Sequence, residues 1–391
     1  EGFTPEVAWV TETGSSELEE RLAIRPTSEA IMYPSFSKWI RSWRDLPKRY
    51  NQWNNVVRWE FKHPTPFLRT REFLWNEGHN LYASEEEAME DKGKILGAYE
   101  EVQENYMALP GIAGKKTQKE KFAGAVDSYS IEHLIPDGRA VQGPDYHYDG
   151  QNFSEAYDIK FMDKNDNEKY AYQSTYAITT RQIGVMLATH SDNRGLIIPP
   201  KIAPKKIVIV PIFNEENKEK VVDYAEKIAS QLDDCHIDDR DGYTPGWKFN
   251  HWELRGVPLR MEIGPKEVDE ETATLVRRDN GKKDTVSLGK VKVTVTDLLE
   301  EIQKNLYDRA KEFLESNIRK VSDYEEMWDI IEEKGGFVKA SWCGKEECEN
   351  AIKEETGAKI TNIPFKYNKP NEECIYCGEE GKYYVHFAKT Y

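Results

Sequence analysis

Residues 56–80, VVRWEFKHPTPFLRTREFLWNEGHN, read as two strands on either side of a loop holding His63, Pro64 and Pro66. Strand side chains alternate with a period of two, so Arg58 and Glu60 share one face and Phe73, Trp75, Glu77 and His79 share a face of the return strand. Those are positions where a hairpin ordinarily buries aliphatic side chains, so the sheet built on this stretch carries polar chemistry on one face. An arginine, a carboxylate, an aromatic plate and an indole beside a second carboxylate can bind a phosphate, an exocyclic amine, a purine ring and a cationic apolar group. That set suits ATP and an amino acid. A half-exposed hairpin dressed with surface ion pairs has the same pattern.

The rest of the chain limits the alternatives. Its 391 residues, 38% of them hydrophobic, allow two or three domains with packed cores. No run approaches the apolar length of a membrane span, and EGFTPEVAWV lacks the basic and apolar regions of a signal peptide, so a cytoplasmic location is expected. A net charge of -16 argues against a nonspecific nucleic-acid coat but allows a local basic site. Five cysteines, four in two close pairs, suggest a metal site more than a disulfide scaffold.

Taken in order, Pro26-Thr27-Ser28 predicts a helix start, with Ile31, Met32, Phe36, Trp39 and Ile40 as the buried stripe. Thr27 or Ser28 can cap that helix and Glu29 suits its dipole. A long acidic helix follows, packed through Ala88, Ile95, Leu96, Tyr99, Val102 and Tyr106. Thr179-Thr180 opens another helix with Arg181 in its first turn, facing an anion or a surface partner. GLIIPPKIAP marks a domain boundary; beyond it KKIVIVPIF and ENKEKVVDYAEKIASQL predict a small α/β domain with a mostly parallel sheet. Arg260, Lys266, Arg277 and Arg278 would supply local positive charge there, and Trp247 and Trp252 are expected in its core. A long amphipathic helix from Thr296 leads to Cys343, Cys348, Cys374 and Cys377, whose spacing fits tetrahedral zinc; redox chemistry is the other use of Cys-x-x-Cys. Cys235 is left over and expected to be buried.

VVRWE followed by Arg69-x-x-x-Phe73 resembles motif 2 of the class II aminoacyl-tRNA synthetases, and the wording RWEFKHPTPFLRTREFLWNEGH is similar to their prolyl branch of archaeal and eukaryotic type. The likeness runs from GFTPEVAWVT to FAKTY. It implies an α/β (α+β) protein with an antiparallel-sheet catalytic domain over 1–198, an α/β anticodon-binding domain over 199–298 and a zinc-binding C-terminal α/β domain over 299–391. The partners it implies are proline, tRNA(Pro), ATP with Mg2+, structural Zn2+ and a second subunit. Motif 1, the dimer-forming segment, is expected upstream of the abrupt opening at Phe3-Thr4-Pro5, and no room for a complete extra editing domain is seen between Glu77 and Tyr170.

The resemblance also implies roles. Arg58 holds the α-phosphate and the amino-acid carboxylate, Glu60 the adenine amine, Arg69 and Arg181 the γ-phosphate, and Phe73 the adenine ring. Thr70, Gln142 and Thr179 join the ATP set. Thr27, Glu29, Trp75, Glu77, His79 and His147 surround proline, with Glu29 on its secondary ammonium; Arg58, Arg69 and Arg181 are the catalytic arginines. The terminal Tyr391 points toward the active site. The chain departs from the family at Asp145, Tyr146 and Tyr148, where threonine, serine and histidine are usual, and at Thr175-Tyr176-Ala177 in place of Ser-Trp-Gly. Those departures leave two rivals: a synthetase-like RNA-binding or regulatory protein without turnover, and a class II synthetase for another small amino acid.

Overall fold

The computed structural model describes residues 6–391, so the opening at Phe3, Thr4 and Pro5 lies outside the described residues. In chain order, the hairpin β1 (Trp9–Glu12) and β2 (Glu17–Ala23) precedes α1 (Glu29–Trp39), and β3 (Lys48–Val57), β4 (Glu72–Tyr82) and α2 (Glu85–Glu101) follow. Then come β5 (Ile112–Lys115), β6 (Asp127–Leu134), β7 (Ala140–Gly150), α3 (Asn152–Ala156), the small hairpin β8 (Lys160–Met162) and β9 (Glu168–Tyr170), β10 (Tyr172–Thr179) and α4 (Arg181–His190). The next run is β11 (Ile207–Pro211), α5 (Lys218–Ala229), β12 (Cys235–Ile237), α6 (Pro245–Leu254), β13 (Leu259–Ile263), α7 (Pro265–Asp269), β14 (Thr272–Arg277), β15 (Lys283–Ser287) and α8 (Val291–Ser316). The chain closes with β16 (Ile318–Lys320), α9 (Tyr324–Asp329), β17 (Phe337–Trp342), α10 (Glu346–Thr356), β18 (Lys359–Pro364) and β19 (Tyr383–Ala388). Among the described residues no helix is long and apolar enough to cross a membrane.

Two compact units result: residues up to Glu100 with Gly111–Val185 and Ser316–Tyr391, and Glu101–Pro110 with Met186–Glu315. The divide expected at 298/299 falls inside α8. In the first unit ten strands form one sheet in the order β16-β17-β19-β18-β5-β6-β7-β10-β4-β3. Only β16 and β17 run parallel in it. The C-terminal strands join the rest where Ile363 faces Lys115 and Pro364 faces Gly114. Backbones approach so closely there that a β-carbon on Gly114 would lie 2.5 Å from the Ile363 carbonyl oxygen, so only glycine fits. The buried Lys116 ammonium secures the seam, donating to Glu132 at 2.6 Å and to the Thr361 carbonyl at 2.7 Å.

Helix α1 packs on this sheet through Tyr33 and Phe36, joined by Ile40 just past its end, with Leu81, Ile159 and Phe161 beneath. Each fully buried aromatic or aliphatic side chain of that kind contributes about 2 kcal/mol. The expected stripe is displaced: Ile31 and Trp39 are 60% and 53% exposed. Ile31 faces a cavity instead of the sheet, which turns the packed side of the helix. The acidic helix continues past Glu101 as a π-helical turn over Val102–Tyr106, which rotates the last part of its apolar stripe outward, and Val102 and Tyr106 are exposed.

The second unit has a five-stranded sheet in the order β12-β11-β13-β14-β15. Its sheet is less parallel than expected: β11 runs parallel to β12 and β13, whereas β13–β14 and β14–β15 are antiparallel, because the short β14–β15 hairpin allows no crossover. Helices α5 and α8 cover a core that includes Ile209, Leu259, Leu275, Ile302 and Leu306. Trp252 is buried and donates to Asp238 at 2.7 Å. Trp247 is not core: it is exposed and stacks on Tyr243 with centroids 4.1 Å apart. Arg277 and Arg278 are buried against Asp279 and Asp192, which cancels much of the free positive charge expected from them.

Candidate active site

Strand register places the polar residues. Across β7, β10, β4 and β3, one row runs Asp145, Ala177, Glu77, Gln52, and two residues along runs His147, Thr175, His79, Tyr50; Thr179, Trp75 and Asn54 form a third row on the other side. Rows two residues apart share a face. This face, α1 and the loop after β3 enclose a cavity of about 890 Å³.

At one part of the cavity lies a carboxylate cluster. Glu77 accepts from the Ser28 hydroxyl at 2.6 Å and from Gln52 Nε2 at 2.8 Å, and its other oxygen is 3.1 Å from His79 Nε2. Burial works against ionisation, yet His79 and Ser28 hold the Glu77 carboxyl below its usual range. Thr27 donates to Glu29 and lies 3.4 Å from Glu77. Ser28 thus does not cap α1: no side-chain cap bond forms, because the hydroxyl is committed to Glu77. His79 does not line the cavity; it is buried behind Glu77, with Nδ1 3.0 Å from the Tyr33 hydroxyl.

Arg58 and Arg181 also line the cavity. β3 ends at Val57, so Arg58 and Glu60 lie beyond the strand on which a shared face was expected; the Arg58 amide donates to the Arg71 carbonyl as the chain enters the loop. Arg58 bonds the Pro26 carbonyl at 2.9 Å and lies 5.6 Å and 5.5 Å from the Phe73 and Trp75 rings. Trp75 is fixed by donating to Asn54 at 2.6 Å. Arg181 opens α4, its amide donating to the Thr179 hydroxyl and its Nε to the Leu68 carbonyl. Burial lowers the Arg181 pKa, opposed by the Asp145 carboxylate, while Arg69 and Arg58 push in the same direction as burial. Gly184 admits this geometry, since a β-carbon there would come within 2.8 Å of Phe67. Arg69 itself does not line the cavity; its guanidinium lies over the rings of Phe61 and Tyr391, at 5.3 Å and 5.5 Å. Glu60, Thr70, Phe73 and Thr179 are on the cavity wall.

Gln142, Asp145 and His147 line it from β7. Asp145 accepts from Gln142 at 3.0 Å and is 3.5 Å from His147. Burial raises its pKa, but His147, Lys116 and Arg181 together outweigh this and the carboxyl is held below its usual range. The unusual carboxylate is therefore bonded within its own strand and faces the charges of Lys116 and Arg181 beyond it. Tyr176 stacks on Tyr146 within 5° of parallel and occupies the space over Gly78, where a β-carbon would meet its ring at 1.9 Å.

Sequence reasoning missed Ser28, Tyr33, Gln52, Asn54 and Phe122. Gln52 and Asn54 carried a signal, as alternating amides in NQWNN opposite Glu77 and Trp75.

Separately, the sulfurs of Cys343, Cys348, Cys374 and Cys377 lie within 4.8 Å of one another, with pairs at 3.6 Å and 3.7 Å. A tetrahedron with metal–sulfur arms of about 2.3 Å has edges of roughly 3.8 Å, so this set fits a closed four-thiolate zinc centre. Cys235 stands apart, and burial pushes its thiol up to about 11.

Residues 9–190 match the family described as tRNA synthetase class II core domain (G, H, P, S and T), and residues 206–305 match the Anticodon binding domain. The chain is thus a class II aminoacyl-tRNA synthetase. Residues 324–391 match Prolyl-tRNA synthetase, C-terminal. The chain is 48% identical over 394 residues to the Proline–tRNA ligase of Alkaliphilus oremlandii, and 46% identical over 397 residues to that of Haloarcula marismortui, covering all of this chain and 82% of each relative. The crystal structure of prolyl-tRNA synthetase from Cryptosporidium parvum complexed with halofuginone and AMPPNP is similar with a TM-score of 0.94 and 43% identity, over all of this chain and 82% of that one. Within its class, the chain belongs to the prolyl-tRNA synthetase family.

Proposed function

We propose that this chain activates proline with ATP and transfers it to the 3′ end of tRNA(Pro). The observation that carries the reading is the charge lining one cavity: Glu29 and Glu77 joined through Thr27, together with Arg58 and Arg181, in a chain of net charge -16. Carboxylates suit a secondary ammonium, and arginines suit a triphosphate.

A carboxylate oxygen of proline attacks the α-phosphorus of ATP, and the bond from that phosphorus to the pyrophosphate oxygen breaks. Glu29 orients the ammonium, and Glu77, braced by Ser28 and Gln52, supports Glu29 through Thr27. Arg58 is assigned to the α-phosphate, Phe73 and Glu60 to adenine, and Arg69 and Arg181 to the departing pyrophosphate; Thr70, Gln142 and Thr179 complete the ATP wall, and Trp75 and His147 the proline wall. His79 holds Glu77 from behind. In the second step a terminal ribose hydroxyl of the tRNA takes the prolyl group from the adenylate. Magnesium enters with ATP as part of the substrate.

Zinc on Cys343, Cys348, Cys374 and Cys377 is assigned a structural role, because four thiolates leave no position for water. We assign catalysis to 1–198, anticodon binding to 199–298 and zinc binding to 299–391, and place the protein in the cytoplasm. A homodimer is supported by the open edge at β3, where Trp53 is 81% exposed beside Leu74 at 62%.

The test is proline-dependent exchange of label between pyrophosphate and ATP, followed by charging of tRNA(Pro). Folded protein without exchange would leave the RNA-binding reading in its place. Exchange driven better by another small amino acid would favour the other rival.

A further inference from the structure

The segment between β5 and β6 makes one wall of the cavity with Glu120, Lys121, Phe122, Ala123 and Gly124. Phe122 seats this wall at the carboxylate cluster: its ring lies 5.0 Å from His147 and 6.2 Å from Phe153, and Phe153 lies 5.3 Å from Tyr33, the partner of His79 behind Glu77. Its amide donates to Ser128, whose hydroxyl is 2.8 Å from His147 Nδ1.

The same segment is gripped from outside by the C-terminal elements. The Thr117 hydroxyl donates to Glu349 Oε1 at 2.9 Å, with both residues buried. Lys119 donates to Asn350, and Glu120 pairs with Lys359 at 2.6 Å and Lys353 at 3.6 Å. Glu349, Asn350 and Lys353 all lie on α10, which also carries Cys348 of the four-sulfur cluster. A buried carboxylate bonded to a buried hydroxyl is costly to leave half-made, so this contact specifies where the segment sits.

We propose that Glu349 is a positioning residue for the amino-acid end of the cavity. Through Thr117, α10 holds segment 117–124 in its pocket-forming shape, and the cysteine cluster in turn holds α10. The inference rests on the assignment of the cavity to proline and ATP. It makes the C-terminal module a determinant of proline binding and leaves the ATP wall to other elements.

Three variants of the full chain test it. Glu349→Ala and Thr117→Val remove the bond from opposite sides, and Glu349→Gln keeps an oxygen for the Thr117 hydroxyl. The two disruptive variants should each raise KM for proline about tenfold and leave KM for ATP within about twofold. Amides of 118–124 should exchange hydrogen faster in both, zinc content should stay at the wild-type level, and Glu349→Gln should resemble wild type. The double variant should be little worse than Thr117→Val alone, because that variant already loses the shared bond and, in addition, the one its hydroxyl accepts from the Glu120 amide at 3.2 Å.

Unchanged amide exchange in Thr117→Val, which leaves α10 untouched, would overturn the proposal. Equal rises in both KM values would overturn it too, since that is general loss of support. Hydrogen exchange decides the matter even if the wild-type chain fails to activate proline, so failure of the assigned reaction remains distinguishable from failure of the clamp.

Discussion

Replacing Glu77 by glutamine tests the centre of the site. The carboxylate has four neighbours: Ser28 at 2.6 Å, Gln52 at 2.8 Å, His79 at 3.1 Å and Thr27 at 3.4 Å. An amide can turn its oxygen to Ser28 and Gln52, which keeps both bonds but without the charge, at a loss of about 1 kcal/mol each. Its NH2 then faces His79, which can accept at Nε2 only as the tautomer that donates from Nδ1 to Tyr33. We expect Glu77→Gln to lose about 2 kcal/mol of stability at neutral pH. Proline KM should rise on the order of tenfold, with ATP KM little changed. Because the Glu77 carboxyl is held below its ordinary 4.5, its stabilising contribution is present above that value and disappears as pH falls through the lowered one. The gap between variant and wild type in urea unfolding should therefore narrow under acid. Equal stability at neutral pH, or an equal rise in both KM values, would refute the reasoning.

Glu29→Gln should weaken proline binding far more than ATP binding; calorimetry with each ligand separates this from a folding defect, which would weaken both. Cys374→Ser should lower zinc content and thermal midpoint together, as elemental analysis and calorimetry would show, with partial loss of exchange activity. Deleting Tyr391, whose ring lies against Arg69, should reduce exchange activity with zinc retained. His386 is buried, and burial lowers its pKa to about 3 from an ordinary 6.5. Only the unfolded chain takes up that proton in between, so stability should fall by about 1.4 kcal/mol per pH unit from this group below pH 6.5; urea midpoints for His386→Gln should show a shallower acid slope.

How much of this was legible follows from which contacts are local. The polar face at Trp75 and Glu77 could be read from alternation within one strand, and the cysteine set from spacing alone. The resemblance of RWEFKHPTPFLRTREFLWNEGH supplied the likeness to the family that the comparisons show. Thr27 or Ser28 suits a cap because capping is the local use of a hydroxyl side chain before a helix; the partner of the Ser28 hydroxyl is instead 49 residues away. Ile31 and Trp39 match a helical stripe, but a cavity beside the helix alters which side packs. Thr117 and Glu349 lie 232 residues apart, and neither belongs to a motif, so no periodicity links them.

The seam at Gly114 bears on how the protein is made. β5 and β6 emerge from a ribosome early, but β18, the strand that covers the other edge of β5, is synthesised much later: Lys116 and its acceptor Thr361 are 245 residues apart. Until then the growing chain presents an unpaired strand edge of the kind that recruits wrong partners. Nascent chains stalled before residue 359 should consequently depend on chaperones, and release from them should coincide with exit of β18 and β19. Closing so distant a pair late also makes this sheet slow to complete, because the loop entropy must be overcome before the contacts that offset it can form.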